Sequence, residues 1–159
     1  MDNTSTTDQT NWLVPAVYRV VLKREGSIAN RPELSGPDAA SEALRTYLRD
    51  ADREVCAVAM LDVDDRLIGI SVVAIGTLTM CPAHPREILK VALLCNAAAI
   101  ILAHNHPVAE ARPSVADLDL TEAIGEVSLA LGIQLLDHLI IGAEETHSMS
   151  LNRTWRIED

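Results

Sequence analysis

Phenylalanine is absent from this chain, and aromatic residues make up only 3 % of it. The core must therefore be built from Val, Ile, Leu and Ala, because hydrophobic residues still reach 48 %. Basic residues are scarce: 13 Lys and Arg stand against 23 Asp and Glu, a net charge of −10. No Lys/Arg cluster interrupts that balance, and binding through phosphate contacts needs one. Nucleic acid is not an expected partner. Cysteine is rare and scattered. Cys56, Cys81 and Cys95 form no Cys-x-x-Cys, which argues against a cysteine-built zinc site or a redox pair. Cys56 and Cys95 lie in apolar runs and read as small core residues. A reducing, cytoplasmic setting fits them. The first residues are polar and acidic, without the apolar centre of a signal peptide. No apolar run reaches membrane-spanning length, so no membrane association is expected.

What remains, at 159 residues, is enough chain for one domain with a real core. Residues 1–14 read as a flexible tail and 15–159 as a single domain, with no internal repeat. A strand is expected at residues 16–22. A helix follows at about 38–50, with Ser35 as its cap, Pro37 in its first turn, and Ala40, Ala43, Leu44, Tyr47 and Leu48 as its apolar stripe. Residues 54–61 and 67–76 read as a hairpin buried on both faces, turning through Asp62, Asp64 and Asp65. That acidic run is too short for a calcium loop. A helix from Pro85 to about Asn96, apolar nearly all round after Lys90, is expected to be deeply packed. Residues 98–103 form the central strand. A helix spans 115–131 with Leu120, Ile124, Val127 and Leu131 at helical spacing, and Gly132 stops it. Strands at 133–141 and 146–151 complete a β-α-β-β-α-β-α-β-β order, which predicts an α/β fold with a mixed sheet flanked by helices.

The chemistry gathers where the central strand ends. His104 and His106 are two apart, so in extended backbone both imidazoles face one side while Asn105 faces the other. Ser114 and Asp117 follow, three apart and on one helix face. Asp117 can return a carboxylate toward the histidines, and two His plus one carboxylate is a recurrent shell for catalytic zinc. Ser114-x-x-Asp117 is equally a capping-box helix start with no metal. The two readings are compatible, since a cap fixes the helix that carries the ligand.

The ordered residues His104-x-His106, Ser114 and Asp117 match the JAMM motif of the MPN (JAB) metallopeptidases. The stretches His84–Ile88, Asn96–Pro107 and Leu135–Gly142 closely resemble the RadC-like branch. This resemblance covers roughly residues 35–152 and implies a cytidine-deaminase-like three-layer α/β/α fold. It implies one zinc ion held by His104, His106 and Asp117. It also gives Ser114 the role of hydrogen-bonding the tetrahedral intermediate. The acidic residue that activates water has no fixed spacing: Glu54 is the first choice, at the head of a strand, and Glu87 the second, though Glu is favoured at a helix start anyway. Val108-Ala109 stands where RadC-like chains usually carry Ser-Gly. The helix-hairpin-helix that would bind DNA is not found ahead of the domain.

The reaction implied is peptide or isopeptide hydrolysis by metal-activated water, with a peptide or ubiquitin-like protein as substrate. A zinc deaminase is disfavoured, because the Cys-x-x-Cys half of that signature is missing. The alternatives are a non-catalytic MPN scaffold and a DNA-repair-associated factor. The oligomeric state is open. Asp137 and His138 read as packing or edge residues, with a role behind the metal ligands as the other option. His84 is expected to precede a helix without chemistry, and His147 to be exposed. Arg86 could meet a carboxylate or cap a carbonyl.

Overall fold

The computed structural model describes residues 30–156 together with Lys23 and Gly26. The expected tail and the strand at 16–22 lie outside the described residues. Runs of β-branched and small apolar residues become strands, and Pro-led amphipathic runs become helices. In chain order these are α1 (Pro37–Leu48), β1 (Val55–Leu61), β2 (Leu67–Ile75), α2 (Pro85–Leu94), β3 (Ala99–Asn105), α3 (Val115–Ala130), β4 (Gln134–Ile141), β5 (Glu145–Ser148) and β6 (Arg153–Arg156). The strands form one mixed six-stranded sheet in the order β2-β1-β3-β4-β5-β6. Only the β3–β4 pair is parallel. Its crossover is α3, as parallel pairing requires.

Every residue of β1 and β3 is buried, and strand alternation deals them to two cores. Ala57, Ala59, Leu61, Ile101 and Ala103 pack with Ala40, Leu44 and Leu48 of α1. Cys56, Val58, Met60, Ile100 and Leu102 pack with Ile88, Leu89 and Ala92 of α2 and Ile124 of α3. The result is the expected three-layer α/β/α arrangement. Short side chains in the central strands let these layers close without aromatic filling.

Several expectations are corrected. The 54–61/67–76 hairpin is not buried on both sides: β1 is central, but β2 is the edge among the described strands and only partly covered. The α2 helix is not packed all round, since Leu93 and Leu94 face solvent. A helix lying on a sheet buries one stripe, whatever its far side carries. Val127 and Leu131 of α3 and Tyr47 of α1 are exposed for the same reason. Gly36, not Ser35, is the N-cap of α1, and no side chain caps it. The last strand is two strands: the chain turns between Ser148 and Arg153, with Asn152 in the left-handed region (φ 48°). Asn tolerates that conformation. His147 is therefore buried, covered by β6 and hydrogen-bonded to Thr154 Oγ1 at 2.8 Å.

Two turns follow from their residues. Asp62 Oδ1 accepts from the Asp64 and Arg66 amides, both at 3.0 Å, and makes the hairpin bend an Asx-type turn. Gly76 ends β2 where the chain doubles back on itself. A Cβ there would lie 1.9 Å from the Met80 carbonyl oxygen, so only glycine fits.

Candidate metal centre

His104 lies on the α2/α3 face of the sheet, paired with Cys56 across β1–β3. His106 is just past the strand, but its amide still donates to the Ile141 carbonyl at 2.9 Å. That bond keeps the backbone extended, and both rings reach the same side. Their Nε2 atoms stand 3.0 Å apart. Asp117 Oδ1 lies 3.2 Å from His104 Nε2, and Oδ2 lies 4.0 Å from His106 Nε2. One donor atom from each of the three residues lies within 4.8 Å of the others.

Ser114 and Asp117 also form the capping box. The Asp117 amide donates to Ser114 Oγ at 3.2 Å, and the Ser114 amide donates to Asp117 Oδ2 at 2.7 Å. The Ser114 hydroxyl adds a bond to the same Oδ2 at 2.6 Å. Asp117 thus spends one oxygen on the helix start and turns the other to His104. The cap and the contact to His104 use two oxygens of one carboxylate.

Burial dominates the electrostatics. It pushes His104 down to about 4, against the smaller upward pull of Asp117. It pushes His138, behind His104, down to about 3. Burial alone would raise Asp117, but electrostatic attraction from His104 and the Ser114 hydrogen bonds outweigh it and hold the carboxyl below its ordinary range. His106 Nδ1 is 3.0 Å from the Glu110 carbonyl. A carbonyl can only accept, so Nδ1 carries the hydrogen. Two imidazoles and a carboxylate converging on one point could hold a metal ion. Cys56 and Cys81 line the same pocket. Burial pushes both thiols up, which keeps them protonated and poor ligands.

The two low imidazole values carry a stability prediction. Unfolded histidine titrates near 6.5, so below that pH the unfolded chain takes up protons that the fold refuses. Stability is full above about 6.5 and falls progressively toward the folded values of about 4 and about 3. Urea melts of metal-free protein should show a lower midpoint at about pH 5 than at about pH 7.5. A midpoint that does not move would mean these rings are not buried neutral.

Glu54 lines this pocket with His104, His106, Ser114 and Asp117. It continues the Cys56 side of β1, and the antiparallel register carries it opposite His106. Burial pushes its carboxyl up, tempered by His106 and reinforced by Asp117. Glu87 does not reach the pocket: it pairs with Lys90 on the surface of α2. His84 caps α2 by accepting from the Arg86 amide at 3.1 Å, and Arg86 itself is exposed.

The roles of Asn105 and Thr121 escaped the sequence reading. Asn105, facing away from the histidines, accepts from the Val55 amide at 2.7 Å and donates to the Arg53 carbonyl at 3.0 Å. Those groups flank Glu54, whose own amide donates to Thr77 at 2.7 Å and whose carbonyl accepts from Gly76 at 2.8 Å. The middle residue of His-x-His thereby ties the strand of the histidines to the backbone of Glu54. Asn105→Ala strands a buried amide and should cost about 1–3 kcal/mol in urea unfolding. Midpoints that coincide with wild type would show the tie to be idle. Asp137 and His138 part company, as neighbours on a strand do. Asp137 accepts from Ser148 Oγ and the Ser150 amide and braces the turn after β5. His138 faces α3, with Nε2 3.0 Å from His104 Nδ1 and Nδ1 2.6 Å from Thr121 Oγ1.

Fold and site together define a JAB/MPN-type domain: a mixed sheet between helices, with a His-His-Asp group able to hold a metal ion at the end of the central strand. More narrowly, the chain belongs to the RadC-like JAB domain family, whose model matches residues 34–154. A UPF0758 protein of Histophilus somni (strain 2336) is 46 % identical over 110 residues, 69 % of this chain and 50 % of that protein. One from Leptothrix cholodnii is 43 % identical over 123 residues, 77 % of this chain and 55 % of its own length. One from Haemophilus influenzae (strain PittEE) is 40 % identical over 131 residues, 82 % and 58 % respectively. The chain thus spans about half the length of the curated relatives it matches. Among the described residues no helix is long and apolar enough to cross a membrane.

Proposed function

We propose that this chain is a zinc-dependent hydrolase of the JAMM type, acting on a peptide or isopeptide bond. The observation that carries the reading is the convergence of His104, His106 and Asp117 on one point, with Glu54 across the same pocket. His104, His106 and Asp117 would hold the ion. When bound, the ion supplies a Lewis acid that acidifies a water molecule toward neutral pKa. Glu54 accepts a proton from the attacking water and passes it to the leaving amine. Its raised carboxyl pKa suits a group that must hold a proton between those events. The Ser114 hydroxyl, at the pocket wall, is placed to turn from Asp117 to an oxyanion in the transition state.

The walls favour an amide over a phosphodiester. The pocket encloses about 370 Å³, and among the described residues no Lys or Arg lines it. Without such cations the charge of a phosphoryl group would be met by the metal alone. Leu78, Met80 and Val108 are exposed at this pocket and offer apolar contact to a peptide side chain. The −10 net charge also opposes a DNA-processing role. Three free thiols suit a reducing compartment such as the cytoplasm. The test is cleavage of a fluorogenic peptide library and of isopeptide-linked ubiquitin-like conjugates. Turnover that stops with a zinc chelator and returns with added zinc supports the proposal. A protein that binds zinc but cleaves neither class would instead be a non-catalytic scaffold of the same fold.

A further inference from the structure

The contacts behind His104 form a closed loop that begins and ends on Asp117. Thr121 Oγ1 lies 2.6 Å from the Asp117 backbone carbonyl and 2.6 Å from His138 Nδ1. His138 Nε2 lies 3.0 Å from His104 Nδ1. His104 Nε2 then faces the Asp117 carboxylate at 3.2 Å.

The hydrogens in this loop can be counted. The Asp117 carbonyl only accepts and lies at 2.6 Å, closer than Met149 Sδ at 3.4 Å, so the single Thr121 hydroxyl hydrogen goes to it. The Thr121 oxygen is left to accept, and His138 Nδ1 must carry a hydrogen to supply it. The remaining bond needs one donor between His138 Nε2 and His104 Nδ1. A donating Nε2 would make His138 a cation at 1 % exposure with no carboxylate on either ring nitrogen. The donor is therefore His104 Nδ1. His104 Nε2 is left as a lone pair aimed at His106 and Asp117, so the 3.2 Å contact to the carboxylate that closes the loop holds no hydrogen and is the gap a cation would bridge.

We propose that Thr121 and His138 are positioning residues that lock His104 in its Nδ1–H tautomer, so that Nε2 is set as a metal donor before any ion arrives. The inference rests on the metal reading above for its purpose, but not for its geometry. Glu110 serves His106 the same way through a backbone carbonyl. His104 lies deep in the sheet, where the next strand offers a side chain instead. His138 and His104 are diagonal neighbours on one face of the parallel β3–β4 pair, since Leu102 pairs with His138 and His104 with Ile140. Thr121 is one helical turn beyond Asp117, so the helix that brings the carboxylate also brings the hydroxyl that starts the relay.

The test reads the tautomers directly. Two-bond ¹H–¹⁵N correlation spectra of metal-free protein with ¹⁵N-labelled histidine distinguish Nδ1–H from Nε2–H rings. Wild type should show both His104 and His138 as Nδ1–H tautomers. Thr121→Val keeps the shape and removes the acceptor. His138 should then move to the Nε2–H form, driving the hydrogen of His104 onto Nε2. Zinc affinity by chelator competition should fall roughly 10–100-fold in that variant, and Thr121→Ser should restore both readouts. An Nε2–H His104 in the wild type overturns the relay without recourse to any variant. So does a folded Thr121→Val protein with unchanged tautomers and zinc affinity. Failure of the wild type to bind zinc would sink the proposed function instead, while the metal-free spectra still decide the relay.

Discussion

Asp117→Ala is expected to abolish stoichiometric zinc binding. Purified wild-type protein should carry about one zinc per chain by mass spectrometry. The variant should lose more than the roughly 10–100-fold in affinity that removal of an outer partner costs, because it deletes a ligand itself. The complication is that Asp117 also caps α3. Losing a cap costs about 0.5–2 kcal/mol, which lowers a melting midpoint but does not remove a metal from a folded site. Asp117→Asn separates the two effects. Its amide oxygen can still accept from the Ser114 amide, while the ionised oxygen now facing His104 at 3.2 Å is lost. Asparagine should therefore keep most of the stability and little of the zinc. A wild type that stays zinc-free after incubation with the ion at neutral pH would leave Ser114 and Asp117 as a helix cap and nothing more. So would an alanine variant that retains the metal.

Glu54→Gln should remove hydrolysis and spare the metal. General acid–base catalysis contributes typically about 10²–10⁴-fold, and a loss of that order is expected in kcat/KM on any substrate the chain cleaves. Zinc stoichiometry should be unchanged, since Glu54 is not among the three converging donors. The pH profile adds a signature. Burial raises the Glu54 carboxyl, so the acid limb of kcat/KM should lie above the ordinary glutamate range and vanish in the variant. Glu87→Gln is the control and should match wild type, because that side chain is committed to Lys90 on the outer surface. Full activity in Glu54→Gln would move the general base elsewhere.

The choice between these two glutamates marks where the sequence stops being informative. His104, His106, Ser114 and Asp117 lie within 14 residues of one another. Their grouping follows from local rules: a period of two on a strand, three-residue spacing on a helix, and a capping box that fixes where the helix starts. Those rules act over a few residues, so the sequence carries them in full. The acidic partner arrives from another strand. Its place depends on the β1–β3 register, which no local period encodes.

By itself, then, the chain determined its aliphatic core, its strand and helix segments between residues 37 and 141, and the His-x-His and Ser-x-x-Asp geometry. It also determined that Asn105 would turn away from the two histidines. Tertiary structure alone decided that this turning away lets Asn105 grip the backbone on both sides of Glu54. It decided that β2 is an edge among the described strands while β1 is buried, although both read as equally apolar. It brought His138 and Thr121, 17 residues apart on a strand and a helix, within 2.6 Å behind His104. It also covered His147 with a sixth strand. The physical reason is common to all four. Side-chain periodicity says which face of an element a residue takes, but which element lies against that face is set by long-range pairing, and only the closed sheet specifies it.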